Sequence, residues 1–158
     1  MSTLSVDTIQ GQTTAANVKL PAGSVLQVVS ATSATQTDVG NTTYTDTGLS
    51  ATITPKYSSS KVYVLVNHRI FKGSANQGGD FRIMRGSTSL GDHVKGVLYG
   101  GHANEDNVSL TMQFLDSPST TSATTYKTQM KHNNGNGGII RVSAASSTDI
   151  ITLMEISV

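Results

Sequence analysis

The chain has 158 residues, and its 11 Lys and Arg against 10 Asp and Glu leave a formal net charge of +1. A nearly neutral chain lacks the positive surface that binds nucleic acid or an anionic membrane, so we expect neither as a partner. It contains no cysteine, which excludes disulfides, thiolate metal sites and cysteine nucleophiles. No apolar run approaches the roughly 18 residues of a membrane span, and we expect no membrane insertion. With 42 Ser and Thr, its surface is solvated by hydroxyls rather than by ions.

The first 22 residues differ in pattern from the remainder. Their apolar residues follow neither a helical nor a strand period beyond a few positions; they are Leu4, Val6, Ile9, Val18 and Leu20. A break in regular structure at Pro21, Ala22 and Gly23 then precedes the first predicted strand. We therefore expect an extended N-terminal arm over 1–22 and a globular domain over 23–158.

Lys61–Lys72 is the strongest strand signal. Val62, Val64, Val66, His68 and Ile70 alternate with a second set that includes Tyr63, Leu65 and Phe71. Apolar residues on both faces of its first half predict a central strand that is covered on both sides.

Short alternating runs predict strands along the rest of the chain. Before the central strand they cover 23–30, 42–46 and 49–54, and 31–41 is interpreted as a polar loop. After it they cover 80–85, 94–99, 108–116, 124–131, 139–142 and 149–158, with a turn predicted over 87–92. Asn and Gly in 132–138 are a strong turn signal.

About ten short strands at this spacing, without a helix, are typical of an all-β antiparallel sandwich, and a jelly roll is the preferred form. The period-two pattern predicts which side chains form its core: Val62, Val64, Val66, Val108, Leu110, Met112, Phe114, Ile151 and Leu153. The last strand is expected to pair near the middle of a sheet.

The sequence contains few patterns that are typical of a catalytic or metal site. His68 lies on the apolar face of the central strand, where a buried histidine with a hydrogen-bonding partner is the usual explanation. His93 and His102 have Asp92, Glu105 and Asp106 nearby, but the spacing matches no known metal pattern. We find no nucleophile elbow, no catalytic triad and no phosphate-binding motif. Five of the ten acidic residues are interpreted as turn or strand-end residues: Asp7, Asp38, Asp46, Asp92 and Asp116. We therefore expect no catalytic residues, no cofactor, no metal and no enzymatic activity.

Two loops, 73–79 and 100–107, offer a second kind of site. A stacking ring with amide and carboxylate groups nearby suits the hydroxyls of a sugar, and these residues are Tyr99, His102, Asn104 and Asp106. Polar residues also fill loops that bind nothing, so a glycan or receptor site remains the alternative hypothesis.

Several phrases of the sequence resemble a family. LSVDTIQG, VKLPAGSVLQVV, TDTGLSATITPKYSSSKVYVLV, MQFLDSPSTTSATTYKTQMK and ITLMEI are similar to phrases of small fibre-like or decoration structural proteins of marine tailed bacteriophages. The resemblance covers most of the chain, and its least familiar part is 72–107. It implies a tail-fibre-like virion protein, in the head or in the tail, that is assembled in the host cytoplasm and is not an enzyme.

By analogy with fibre and decoration proteins, we expect a homotrimer in which the arm binds another capsid or tail protein and the β domain projects outward. The arm residues named above would form the attachment site. Tyr63, Leu65 and Phe71 would contribute to the contact between subunits.

Overall fold

The computed structural model describes residues 20–100, 106–135, 137–143 and 147–158. These residues form ten β-strands and contain no helix, including none long and apolar enough to span a membrane. The strands are β1 (Val25–Ser33), β2 (Thr37–Val39), β3 (Thr45–Ile53), β4 (Lys61–Lys72), β5 (Gly79–Arg85), β6 (Thr88–Val97), β7 (Asp106–Asp116), β8 (Thr124–His132), β9 (Ile140–Val142) and β10 (Asp149–Ile156).

The strands of the described residues pair into two antiparallel sheets. In the first sheet, the order is β1-β10-β4-β7. The short strand β2 continues the line of β1, and β9 continues the line of β10, so each of these two pairs of strands is counted as one row. In the second sheet, the order is β3-β8-β5-β6. Each sheet therefore has four rows.

The order of the rows identifies the fold. If the eight rows are numbered along the chain, the sheets read 1-8-3-6 and 2-7-4-5. Every antiparallel pair 1-8, 2-7, 3-6 and 4-5 is then a step of one long hairpin that is rolled across two sheets. This is the order of a jelly roll, so the predicted fold class is confirmed.

The core lies between the inner faces of the two sheets. Side chains from β3, β4, β8 and β10 alternate between buried and solvent-facing positions along nearly their whole length. Seven of the nine predicted core residues are buried, while Val108 and Phe114 are half-buried and pack against the same cluster. Burying one such side chain stabilises the fold by about 1.5–3 kcal/mol.

Several local predictions are wrong. The predicted strands 42–46 and 49–54 are one strand, β3, whose register shifts between Asp46 and Ser50. Gly48 lies in this bulge at a φ of 84°, which is a backbone conformation that favours glycine. The loop predicted over 31–41 contains β2 and the end of β1, and the turn predicted over 87–92 is mostly β6.

The central strand is covered on one side within the described residues. Its inner residues are buried, but Tyr63 and Leu65 on its outer face are half-buried and Asn67 is exposed. The prediction of cover on both sides is therefore wrong for the described part of one chain. β10 does pair between β1 and β4, as expected for a strand near the middle of a sheet.

Candidate functional site

A chain of buried polar groups crosses the sandwich at His68. Its Nδ1 lies 2.7 Å from a carboxylate oxygen of Asp149, and its Nε2 lies 2.9 Å from the hydroxyl of Thr128. That hydroxyl is 2.5 Å from the hydroxyl of Thr47. Because His68 and Asp149 belong to the first sheet and Thr128 and Thr47 to the second, the chain of hydrogen bonds connects the two sheets.

The order carboxylate, imidazole, hydroxyl is also that of a hydrolase triad. However, His68 and Thr128 have no exposed surface and Asp149 is 1% exposed, so no substrate reaches the hydroxyl. Burial alone would raise the pKa of Asp149, but hydrogen bonds from His68, from the Arg69 amide and from Ser143 outweigh it and hold this pKa below its usual value. The arrangement stabilises the fold, and His68 has the hydrogen-bonding partners expected of a buried histidine.

A second set of polar groups, which also connects the two sheets and is here called a polar bridge, lies at Asp116. Arg85 Nη1 on β5 donates to both carboxylate oxygens of Asp116 on β7, at 2.9 and 2.8 Å. The buried hydroxyl of Tyr126 donates to the same carboxylate at 2.6 Å. Burial, followed by this hydrogen bond, raises the pKa of Tyr126 above its ordinary value. Since every group in the bridge has a partner, its role is also structural.

The predicted attachment residues fall largely outside the described residues. Leu4, Val6, Ile9 and Val18 lie outside them, whereas Leu20 is described and is 47% exposed. Leu20 lines a shallow pocket with Ala22, Tyr57, Ser59, Ser157 and Val158, where the last strand ends.

The predicted glycan-contact residues are described in part. Tyr99 is 59% exposed, and Asp106 is exposed at the start of β7. His102 and Asn104 lie outside the described residues. Tyr99 and Asp106 flank the connection between β6 and β7, which is where a loop site was predicted.

The remaining histidine hypothesis concerns His93. Its ring packs edge-on against Phe114 at 5.3 Å, and its Nδ1 accepts a hydrogen bond from the Ile83 amide at 3.3 Å. Desolvation lowers its pKa. Within the described residues, no group of three His, Cys, Asp or Glu side chains is placed to hold a metal ion.

Part of the outer face of the first sheet is a partly exposed and uncharged surface, which lies between Lys61 and Arg69 of β4. Four apolar residues lie in register in a line across β1, β10, β4 and β7: Val28, Met154, Tyr63 and Leu115. Val28 is 57% exposed and Leu115 is 48% exposed. The next two lines of outward-facing residues across the same strands contain no charged side chain either. They are Ser30, Thr152, Leu65 and Gln113, then Thr32, Ile150, Asn67 and Thr111. We refer to these twelve residues as the neutral face.

The outer face of the second sheet has the opposite character. Lys127 and Gln129 both donate to the Asp46 carboxylate at 2.6 Å. Lys131 lies 3.5 Å from Asp80, and the guanidinium of Arg82 stacks over a tyrosine ring. Ion pairs keep this face hydrated, so the neutral face is the better candidate for protein contact.

The neutral face continues to an open sheet edge at β7. Among the described residues, β7 pairs with β4 alone, and the eleven pairs run without a register shift. The strands at the other three edges, β1, β3 and β6, all contain shifts. A long, regular edge without Lys, Arg or Pro is a ready template for another strand, and β7 has none of the three. The sequence run VSLTMQFLD contains this signal, but nothing in it shows that the strand lies at an edge.

No protein-family model matches the sequence, and no curated protein is significantly similar to it. Among solved structures, the chain is similar to the VP2 subviral particle of infectious bursal disease virus, at 12% identity and a TM-score of 0.46. The match covers 85% of this chain and 39% of the VP2 chain. The jelly-roll assignment therefore rests on the strand order of this chain itself.

Proposed function

We propose that the chain is a structural protein of a bacteriophage virion, a short trimeric fibre or decoration protein that is assembled in the host cytoplasm. The phrase-level resemblance to fibre-like phage proteins supports this proposal. The jelly roll is compatible with it, because capsid proteins use this fold, but lectins and cupins use it too. The fold by itself therefore does not choose among these classes.

The observation that carries the proposal is the neutral face next to the open β7 edge. The neutral face spans four strands spaced by about 4.8 Å and about six residues along each strand, which is about 400 Å² of sheet. A stable interface buries about 800 Å² on each partner. The neutral face would supply roughly half of this area, and the β7 edge and the arm would supply the rest.

The arm is proposed to hold the protein on another capsid or tail protein. Leu4, Val6, Ile9 and Val18 each contribute up to about 1.5–3 kcal/mol when they are buried. Ordering an extended arm costs about 1–2 kcal/mol per residue and opposes this gain. In a trimer, binding of the first arm raises the effective concentration of the other two, so three linked arms hold the protein more tightly than one arm does.

Removal of residues 1–19 tests attachment, because this deletion retains the described contact between the Leu20 carbonyl and the Ser157 hydroxyl. We expect the shortened chain to fold with an unchanged melting temperature and to be absent from purified particles. Incorporation at the normal level would refute attachment by the arm. A large loss of thermal stability would show instead that the arm packs on its own domain.

The homotrimer is tested separately by light scattering at micromolar concentration. Tyr63→Asp places a charge in the neutral face, and Thr52→Asp is the matched control on the exposed outer face of the second sheet. We expect the Tyr63 variant to become monomeric and the control to stay trimeric. A native protein that is monomeric would overturn the trimer.

The second candidate function is binding of a host glycan or receptor by a tail-fibre module. The exposed ring of Tyr99 and the exposed carboxylate of Asp106, on either side of the β6–β7 connection, favour it, since aromatic rings stack on sugars and carboxylates accept hydrogen bonds from their hydroxyls. Tyr99→Ala and His102→Ala should abolish binding to a glycan array or to host cells, with Thr125→Ala as a surface control. Unchanged binding by both variants would remove this site.

A further inference from the structure

Three buried polar side chains lie at the end of the sandwich where β4 and β8 finish. They are Lys72, at the last position of β4, His132, at the last position of β8, and Gln77, in the β4–β5 connection. Each belongs to a different segment, and the first two extend from opposite sheets. None has a role in the polar bridges described above.

Lys72 carries a charge in a position without solvent. Its side chain is 1% exposed, and its ammonium donates one long hydrogen bond, 3.4 Å, to the Gly100 carbonyl. No carboxylate among the described residues lies within 4 Å of it, although six other acid–base pairs meet that distance. A buried ammonium needs an opposite charge or several acceptors to offset its lost hydration.

His132 presents a second donor. Its Nδ1 accepts hydrogen bonds from the backbone amides of Asn134, at 3.3 Å, and Gly135, at 2.8 Å. In a neutral ring the proton is therefore on Nε2. Desolvation lowers the pKa of His132, which favours this neutral form. The buried Nε2–H has no acceptor among the described residues.

Gln77 completes the set. It is 3% exposed, and its Oε1 has no hydrogen-bonding partner in the described part of the chain. The two amide atoms of a glutamine exchange places by a simple flip, so either a donor or an acceptor can face a ligand. Its amide occupies the space that a Cβ at Gly138 would fill, which fixes the side chain inside this end.

Backbone contacts join the three segments. The Gly100 carbonyl that accepts from Lys72 also accepts from the Asn76 amide at 2.8 Å, immediately before Gln77. Gly79 pairs in register with His132, and a Cβ at Gly79 would lie 2.9 Å from Ile140, the register partner of Lys72. The three side chains therefore share one packed region.

We propose that this end of the sandwich encloses a small anion, a halide or a tetrahedral oxyanion, whose principal ligand is the Lys72 ammonium. His132 Nε2–H and the Gln77 amide supply the neutral hydrogen bonds. An ammonium and an N–H donor require an acceptor with negative charge, which excludes a metal cation as the occupant. This site is independent of the proposed virion function.

Titration of the native protein with sodium bromide, sulfate or phosphate tests the proposal. Ionic strength is held constant with sodium gluconate, whose anion is larger than any of the three. We expect at least one of the three anions to raise the melting temperature along a saturating curve, by about 5–10 °C at a concentration 100 times its dissociation constant. A linear rise with sulfate, the same in every variant, is general salt exclusion and would refute the site.

Lys72→Met removes the charge and retains most of the length, and Lys131→Met is the matched control one residue before His132. Lys131 lies on the outer face in an ion pair with Asp80. We expect the saturating response to vanish in the Lys72 variant and to persist in the control. An equal response in both would refute the assignment.

If the Lys72 variant does not fold, crystals of the native protein soaked in bromide give an independent answer. We expect an anomalous peak within hydrogen-bonding distance of Lys72 Nζ. Bromide peaks confined to the surface, with no saturating response to sulfate or phosphate, would overturn the proposal.

Discussion

Replacement of Asp149 by alanine is the most direct test of how the two sheets are held together. The carboxylate accepts three hydrogen bonds, from His68 Nδ1 at 2.7 Å, from the Arg69 amide at 2.8 Å and from the Ser143 hydroxyl at 2.7 Å. It is 1% exposed, so water does not replace the lost acceptor. The variant therefore leaves the buried His68 ring and a backbone amide without their partners.

The expected cost follows from this burial. Each buried donor left without its acceptor costs about 1–3 kcal/mol, so the loss of three hydrogen bonds should destabilise the protein by about 3–5 kcal/mol. For a domain that is stable by about 5–15 kcal/mol, this is a fifth or more of the total. At about 2–4 °C for each kcal/mol, the melting temperature should fall by about 6–20 °C.

Urea unfolding measures the effect, and Asp38→Ala is the matched control. Asp38 also pairs with a cation, since Arg141 donates to both of its oxygens at 2.7 and 2.8 Å. That pair is partly exposed, so its loss should cost about 1 kcal/mol or less. If Asp149→Ala shifts the midpoint no more than Asp38→Ala does, with equal slopes, the buried hydrogen bonds of Asp149 do not stabilise the sandwich.

Three further outcomes follow. First, burial holds the pKa of His132 below 6.5, and hydrogen bonds outweigh burial to hold the pKa values of Asp149 and Glu155 below 3.8 and 4.5. Each group's contribution to stability is complete above its unfolded pKa and is lost as the pH falls through its folded pKa, so the urea midpoint should begin to fall below about pH 6.5 and fall more steeply below about pH 4.5. A midpoint that rises between pH 7 and 5.5 would contradict these directions. Second, Leu115→Lys should prevent trimer formation while it changes the melting temperature of the monomer little, which light scattering and calorimetry together can show. Third, Gly48→Ala should cost about 1 kcal/mol in urea unfolding because of the positive φ at the bulge, and no loss would mean that the bulge relaxes.

The alternation of side chains predicted most of the fold. Lys61–Lys72 is observed with the predicted bounds, and seven of the nine side chains predicted for the core are buried. This succeeds because a strand with one buried face repeats every two residues, which is a local property. The bulge at Gly48 was missed because a register shift depends on the neighbouring strand as well as on the sequence of the strand itself.

The candidate sites were harder to predict because their members are far apart in the sequence. A buried partner was expected for His68, but its identity was not, since Asp149 is 81 residues away and Thr128 is 60 residues away. The open edge of β7 likewise depends on sheet order. Lys72 appeared as the end of a strand, and nothing in its neighbours indicates that its ammonium is buried.

The two proposed functions use opposite ends of the molecule. Leu20 lines a pocket near the last residues of the chain, close to the start of β4, because Lys61 pairs with Ile156. Tyr99 lies at the other end of β4, because the adjacent Gly100 carbonyl accepts from Lys72. Eleven residue steps of about 3.3 Å separate these ends by about 36 Å. Attachment through the arm therefore leaves the loop end free to contact solvent or a host surface, and a loss of attachment should not change glycan binding by the isolated protein.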